Sequence, residues 1–161
     1  MRRTITIGLG STAIVAGAAM TLATMTGASE TQTDAPGYLV TTMNAAHRAA
    51  PIEVHVWYPT EDASAPVAIG ENALFDGFAG RMDAAPSGTD SPVVIFSHGS
   101  GGNAVQAGWF ASALAAQGMI VVATNHHGTM SRDSDPHQTP MLWQRTRDLT
   151  AALDALENGA L

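Results

Sequence analysis

The chain has 161 residues, with 14 Asp and Glu against 7 Lys and Arg, a formal net charge of −7, and no cysteine. That acidic balance, with no basic patch beyond Arg145 and Arg147, argues against nucleic acid as a partner. Without cysteine there is neither a disulfide framework nor a thiolate metal site, and the length suits one modest domain.

Arg2 and Arg3 make a basic start, Ile5 to Met25 is apolar and uncharged, and Thr26-Gly27-Ala28 places small residues before Ser29-Glu30. This is the pattern of an export signal cleaved near Ala28. Residues 1–28 are therefore read as a signal peptide, and 29–161 as a secreted or periplasmic mature domain with no stable membrane anchor. The alternative is an uncleaved anchor, since the apolar run is nearly long enough to span a bilayer.

Residues 29–36 are polar and read as a flexible lead-in. Tyr38 to Met43 suits a strand. Ile52 to Tyr58 alternates apolar and polar residues, which predicts a strand with one solvated face carrying His55. Residues 60–91, rich in Ala, Gly, Pro and Asp, read as a long irregular excursion with one short helical turn between Ala73 and Met82. Pro92 to Phe96 is a continuous apolar run, as in a strand covered on both faces. Val105, Trp109 and Leu114, with Phe110 and Ala113, recur at helical spacing before Gly118, where a C-cap glycine belongs. Trp109, Trp143 and Trp57 are read as packing residues. Met119 to Thr124 is a second buried strand, followed by a polar loop to about Thr139. Leu142 to Glu157 predicts a helix with Leu149, Ala152, Leu153 and Leu156 on one stripe. Strand, helix, strand, helix implies an α/β fold with parallel strands.

The chemistry concentrates in His98-Gly99-Ser100-Gly101-Gly102, between the apolar strand and the helix-like segment. Glycines there let backbone N–H groups turn inward and crowd a small ligand, which is how an oxyanion is held. The bland reading is that this segment only turns the chain. Gly99-Ser100-Gly101 also imitates a nucleophile turn, with His126, His127 or His137 and Asp133, Asp135, Asp148 or Asp154 as nominal partners. A nucleophile elbow, however, needs glycine two residues before the serine, and that position holds His98. His126 and His127 are adjacent, so their side chains diverge on extended backbone and suit no shared metal ion.

Four segments together resemble the α/β-hydrolase superfamily, and most closely its dienelactone-hydrolase-like and platelet-activating-factor-acetylhydrolase-like esterases. They are W-Y-P at 57–59, V-V-I-F-S-H-G-S-G-G at 93–102, A-T-N-H-H-G at 123–128 and R-T-R-D-L-T-A-A-L-D-A-L at 145–156. The likeness covers nearly all of the mature chain and the N-terminal half of such an enzyme. It implies a partial hydrolase fold: a mostly parallel sheet of about four strands, in the order one, two, four, three, with helices on both faces. It further implies cofactor-free and metal-free hydrolysis of a small carboxylic ester through a Ser-His-Asp mechanism. By position, the Ser100 backbone N–H is one oxyanion donor, His98, Gly99, Gly101 and Gly102 shape its loop, and His126 or His127 lines the pocket. In this family the nucleophile and its partners follow later, on a G-x-S-x-G turn and beyond. The 161 residues hold no such turn, so the expectation is a fragment that is inactive alone. A small exported binding or interaction protein on half the fold, or an active hydrolase using Ser100, remain as alternatives.

Overall fold

The protein is described from a computed structural model over residues 35–88 and 90–161. The signal-peptide reading of 1–28 and most of the lead-in lie outside the described residues. The elements are β1 (Gly37–Met43), β2 (Ile52–Tyr58), β3 (Val67–Ile69), β4 (Phe78–Met82), β5 (Val93–Ser97), a 3-10 turn (Ala104–Ala107) running into α1 (Gly108–Ala115), β6 (Ile120–Thr124) and α2 (Leu142–Glu157).

They form one six-stranded sheet in the order β3-β4-β1-β2-β6-β5. The four strands expected from sequence lie side by side as anticipated, β1-β2-β6-β5. The sheet is mixed rather than mostly parallel. β5–β6 and β1–β4 are parallel, whereas β1–β2, β2–β6 and β3–β4 are antiparallel. The 60–91 excursion is the main correction. It contributes β3 and β4, which extend the sheet beyond β1, and a turn between the bridged Asn72 and Phe75 stands where a helical turn was expected. Three- and five-residue strands are too short to show a convincing alternation.

Two cores flank the sheet. On one face Tyr38, Trp57, Phe78, Val121 and Ala123 pack against Ala104, Ala111 and Ala115 of the 3-10 turn and α1. On the other, Ile52, Val54, Val56, Tyr58 and Val122 pack against Ala152 of α2. Helices therefore cover both faces. α1 meets the sheet through its alanines, while Trp109 and Phe110 point outward, 71 % and 39 % exposed. Small residues let the helix approach closely, so of the bulky residues in this segment Val105 and Leu114 pack against the core while Trp109 and Phe110 mark its outer side. Trp143 is likewise exposed, and only Trp57 is core. With both faces covered, β2 has no solvated side. His55 is buried, its Nδ1 accepting from Tyr38 Oη at 2.6 Å and its Nε2 donating to Glu53 at 3.0 Å. Burial holds the His55 imidazole below its ordinary pKa, outweighing the pull of Glu53. β5 is an edge strand, with Val93 40 % exposed.

Candidate active site

At the C-terminal end of β5 the chain turns through the glycine loop, the usual place for sites in open α/β sheets. Gly101 has φ +77°, a left-handed conformation that favours glycine, and its N–H donates to Thr129 O at 2.7 Å. A Cβ on Gly102 would come within 3.2 Å of His98 Cβ and 3.1 Å of Gly99 O. The loop then ends in a capping box. Asn103 Oδ1 accepts from Gln106 N–H at 3.2 Å, and Gln106 Oε1 accepts from Asn103 N–H at 3.4 Å.

His98 is buried and orients the loop. Its Nε2 accepts from the His126 backbone N–H at 3.2 Å, so the ring proton sits on Nδ1, which donates to Gly99 O at 2.7 Å. Gly99 O accepts a second bond from Gly102 N–H at 3.0 Å. A trans peptide directs its N–H opposite to its carbonyl, so clamping Gly99 O aims the Ser100 N–H away from the loop interior. Ser100 is exposed, and among the described residues its N–H has no acceptor. Burial lowers the His98 pKa, outweighing the bond to Gly99 O, with the fields of His126 and Arg145 adding to the effect, which favours the neutral ring.

The segment after β6 secures this arrangement. Asn125 accepts from Ala104 N–H at 2.8 Å and donates to Glu53, tying the start of the helical segment to β2. Burial opposes ionisation of Glu53, but hydrogen bonds from His55 and Asn125 outweigh it and leave the carboxyl below its ordinary pKa. Beside the loop lies a cleft of about 740 Å³ whose walls include Phe75, Phe78, Val105, Trp109, Asn103 and Asn125. His127 lines a separate cleft of about 410 Å³ and donates from Nε2 to Pro51 O at 2.8 Å. His126 is fully buried. No group of three or more His, Cys, Asp or Glu side chains gathers as a metal site among the described residues.

Sequence reading missed the network around Asp148. This carboxylate on α2 is fully buried. Its Oδ1 accepts from His47 Nε2 and Arg48 Nε, each at 2.8 Å, and its Oδ2 accepts from Arg48 Nη2 at 2.6 Å and His126 Nδ1 at 2.8 Å. Burial works against its charge, yet bonds from His126, Arg48 and His47 hold it far below the usual carboxylate range. His126 Nε2 lies 3.0 Å from Ser97 Oγ. Ser100 makes no such contact with a histidine among the described residues. The one available signal was Asp148 at a helical position beside apolar Leu149, on the face that carries Ala152.

No protein family matches the chain, and no curated protein does. Among solved structures, a ferulic acid esterase from Streptomyces cinnamoneus superposes with a TM-score of 0.63 at 21 % identity, over 80 % of this chain and 48 % of that one. At that identity the likeness shows an α/β fold of the kind found in an esterase. The chain spans about half the length of that enzyme.

Proposed function

We propose that this chain is the oxyanion-bearing part of an exported serine ester hydrolase of the dienelactone-hydrolase-like type, with the nucleophile turn and its triad partners lying in sequence beyond Leu161. The observation that carries the reading is the Gly99–Ser100 peptide. Two hydrogen bonds clamp its carbonyl, and its N–H stands exposed without an acceptor among the described residues. A fixed donor of this kind costs no reorganisation when negative charge develops on a carbonyl oxygen, and its loss typically costs a hundred- to a thousand-fold in rate. The cleft at the end of the loop has Phe75, Phe78 and Trp109 on its wall, which suit the apolar part of a small ester, and also carries the charged Glu53, Glu71, Asp76 and Arg132 beside Asn103 and Asn125.

The test compares two substitutions at one position, in the enzyme carrying its nucleophile turn. Ser100→Ala keeps the donor, and ester hydrolysis should fall by less than about ten-fold, since each ten-fold requires about 1.4 kcal/mol of lost stabilisation. Ser100→Pro deletes the N–H and should cost roughly a hundred-fold or more. A near-dead Ala variant with intact circular dichroism would overturn the assignment and make the side chain the reacting group. A reading frame that continues past Leu161 without a G-x-S-x-G turn would favour an interaction protein built on half the fold.

A further inference from the structure

The Asp148 network ends on a serine. Ser97 is the last residue of edge strand β5 and is exposed, and its Oγ lies 3.0 Å from His126 Nε2. His126 Nδ1 lies 2.8 Å from Asp148 Oδ2. Asp148 is fully buried and accepts from Nδ1, which directs Nε2 of the same ring at the hydroxyl. Serine to Nε2, then Nδ1 to a buried carboxylate, is the hydrogen-bond order by which a hydroxyl is activated, and it is recognised by geometry rather than chain order. Arg145 adds a cationic group. Its Nη2 donates to Ser97 Oγ at 3.3 Å, and its Nε is buried with no acceptor among the described residues. Both arrangements favour an alkoxide at Oγ and an oxyanion beside it.

We propose that Ser97, His126 and Asp148 form an acyl-accepting centre distinct from the Ser100 loop, with Ser97 Oγ as nucleophile, taking activated carboxylic esters and their phosphonyl analogues. The centre lies on the α2 side of the sheet, because Ser97 shares its side with Ile95 of that core, whereas the cleft beside the loop lies on the α1 side. Ser97 Oγ gives its proton to His126 Nε2 and bonds to the ester carbonyl carbon, and the carbonyl π pair moves to oxygen beside Arg145. Collapse of that intermediate breaks the carbon–oxygen bond to the leaving group, which departs with the proton from Nε2. The product is acyl-Ser97 and a free alcohol, and the proposal covers this half-reaction alone.

The test treats the chain with a fluorophosphonate probe, in which Oγ bonds to phosphorus as fluoride leaves, and maps the adduct by peptide mass spectrometry. We expect one adduct per chain, on Ser97, forming at least about a hundred-fold faster than in the urea-unfolded chain, in line with the reactivity an adjacent base confers. Ser97→Ala should remove it, and Arg145→Met should slow it with the fold intact by circular dichroism. A folded chain that takes no adduct overturns the proposal, as does an adduct on Ser100 or labelling no faster than in urea. Labelling of Ser97, or no labelling at all, leaves the oxyanion reading to the Ser100→Ala and Ser100→Pro pair, whereas an adduct on Ser100 would count against that reading as well.

Discussion

Replacing Asp148 by Asn keeps the shape of the side chain and removes its charge. The carboxylate is 0 % exposed and accepts four hydrogen bonds, two of them from Arg48, whose side chain is only 9 % exposed. An amide offers one oxygen to two of those donors and turns its own N–H groups against the other two. It also leaves the Arg48 guanidinium buried without a counter-charge. Breaking a buried pair from one side costs about 3–5 kcal/mol, a large part of the 5–15 kcal/mol that holds a typical domain. With a urea slope of about 1–3 kcal/mol per molar, the unfolding midpoint should drop by roughly 2 M. Arg48→Met should cost a similar amount by stranding the carboxylate. The double variant Arg48→Met/Asp148→Asn should be more stable than the sum of the two losses, because neither charge is then left alone. Urea unfolding followed by circular dichroism measures all three. A loss below about 1 kcal/mol for Asp148→Asn, or single losses that add within about 0.5 kcal/mol, would refute the view that charge pairing at Asp148 organises this end of the sheet.

Acidification should act in two windows. The folded His98 pKa lies below its unfolded value near 6.5, so the stability it contributes is present above that pH and lost as pH falls through the folded value. Asp148, depressed from an unfolded value near 3.9, contributes stability that holds until pH drops below about 4. A urea midpoint that rises on going from pH 7 to pH 5 would contradict the first assignment. Val93→Lys places a charge on the exposed end of edge strand β5 and should lower self-association with little change in stability, read by light scattering and thermal unfolding. Unchanged association would mean that the edge is not the sticky surface.

The strands β1, β2, β5 and β6 and the two helices were legible in the sequence because each carries an apolar or periodic run. Pro92 to Phe96 and Met119 to Thr124 have no polar interruption, and Leu142 to Glu157 presents a stripe. The glycine loop was equally plain, since the demand for left-handed or crowded backbone at Gly101 and Gly102 is written in residue identity itself. β3 and β4 were not, because a three-residue strand owes its existence to a neighbour that accepts its hydrogen bonds. The mixed sheet was missed for a related reason: strand direction is a property of pairs.

Side-chain burial and partnership were also decided by tertiary structure. His55 occupies a polar position in an alternating strand, and it is buried among Tyr38, Trp57 and Asn125, which reach it from β1, β2 and the segment after β6. Asp148 reads as one charge among several on a helix until the β1–β2 connection brings His47 and Arg48 from one hundred residues away in sequence. Ser97 reads as the last residue of a strand until β6 brings His126 beside it. Local sequence determines where the backbone can turn and which runs resist water. Which polar atoms meet depends on loop closures among distant segments, and no local pattern encodes those. The hydrogen bonds that fix the Gly99–Ser100 peptide illustrate the division: residue identity marks the turn, whereas the His126 N–H that sets the His98 tautomer arrives only with the fold.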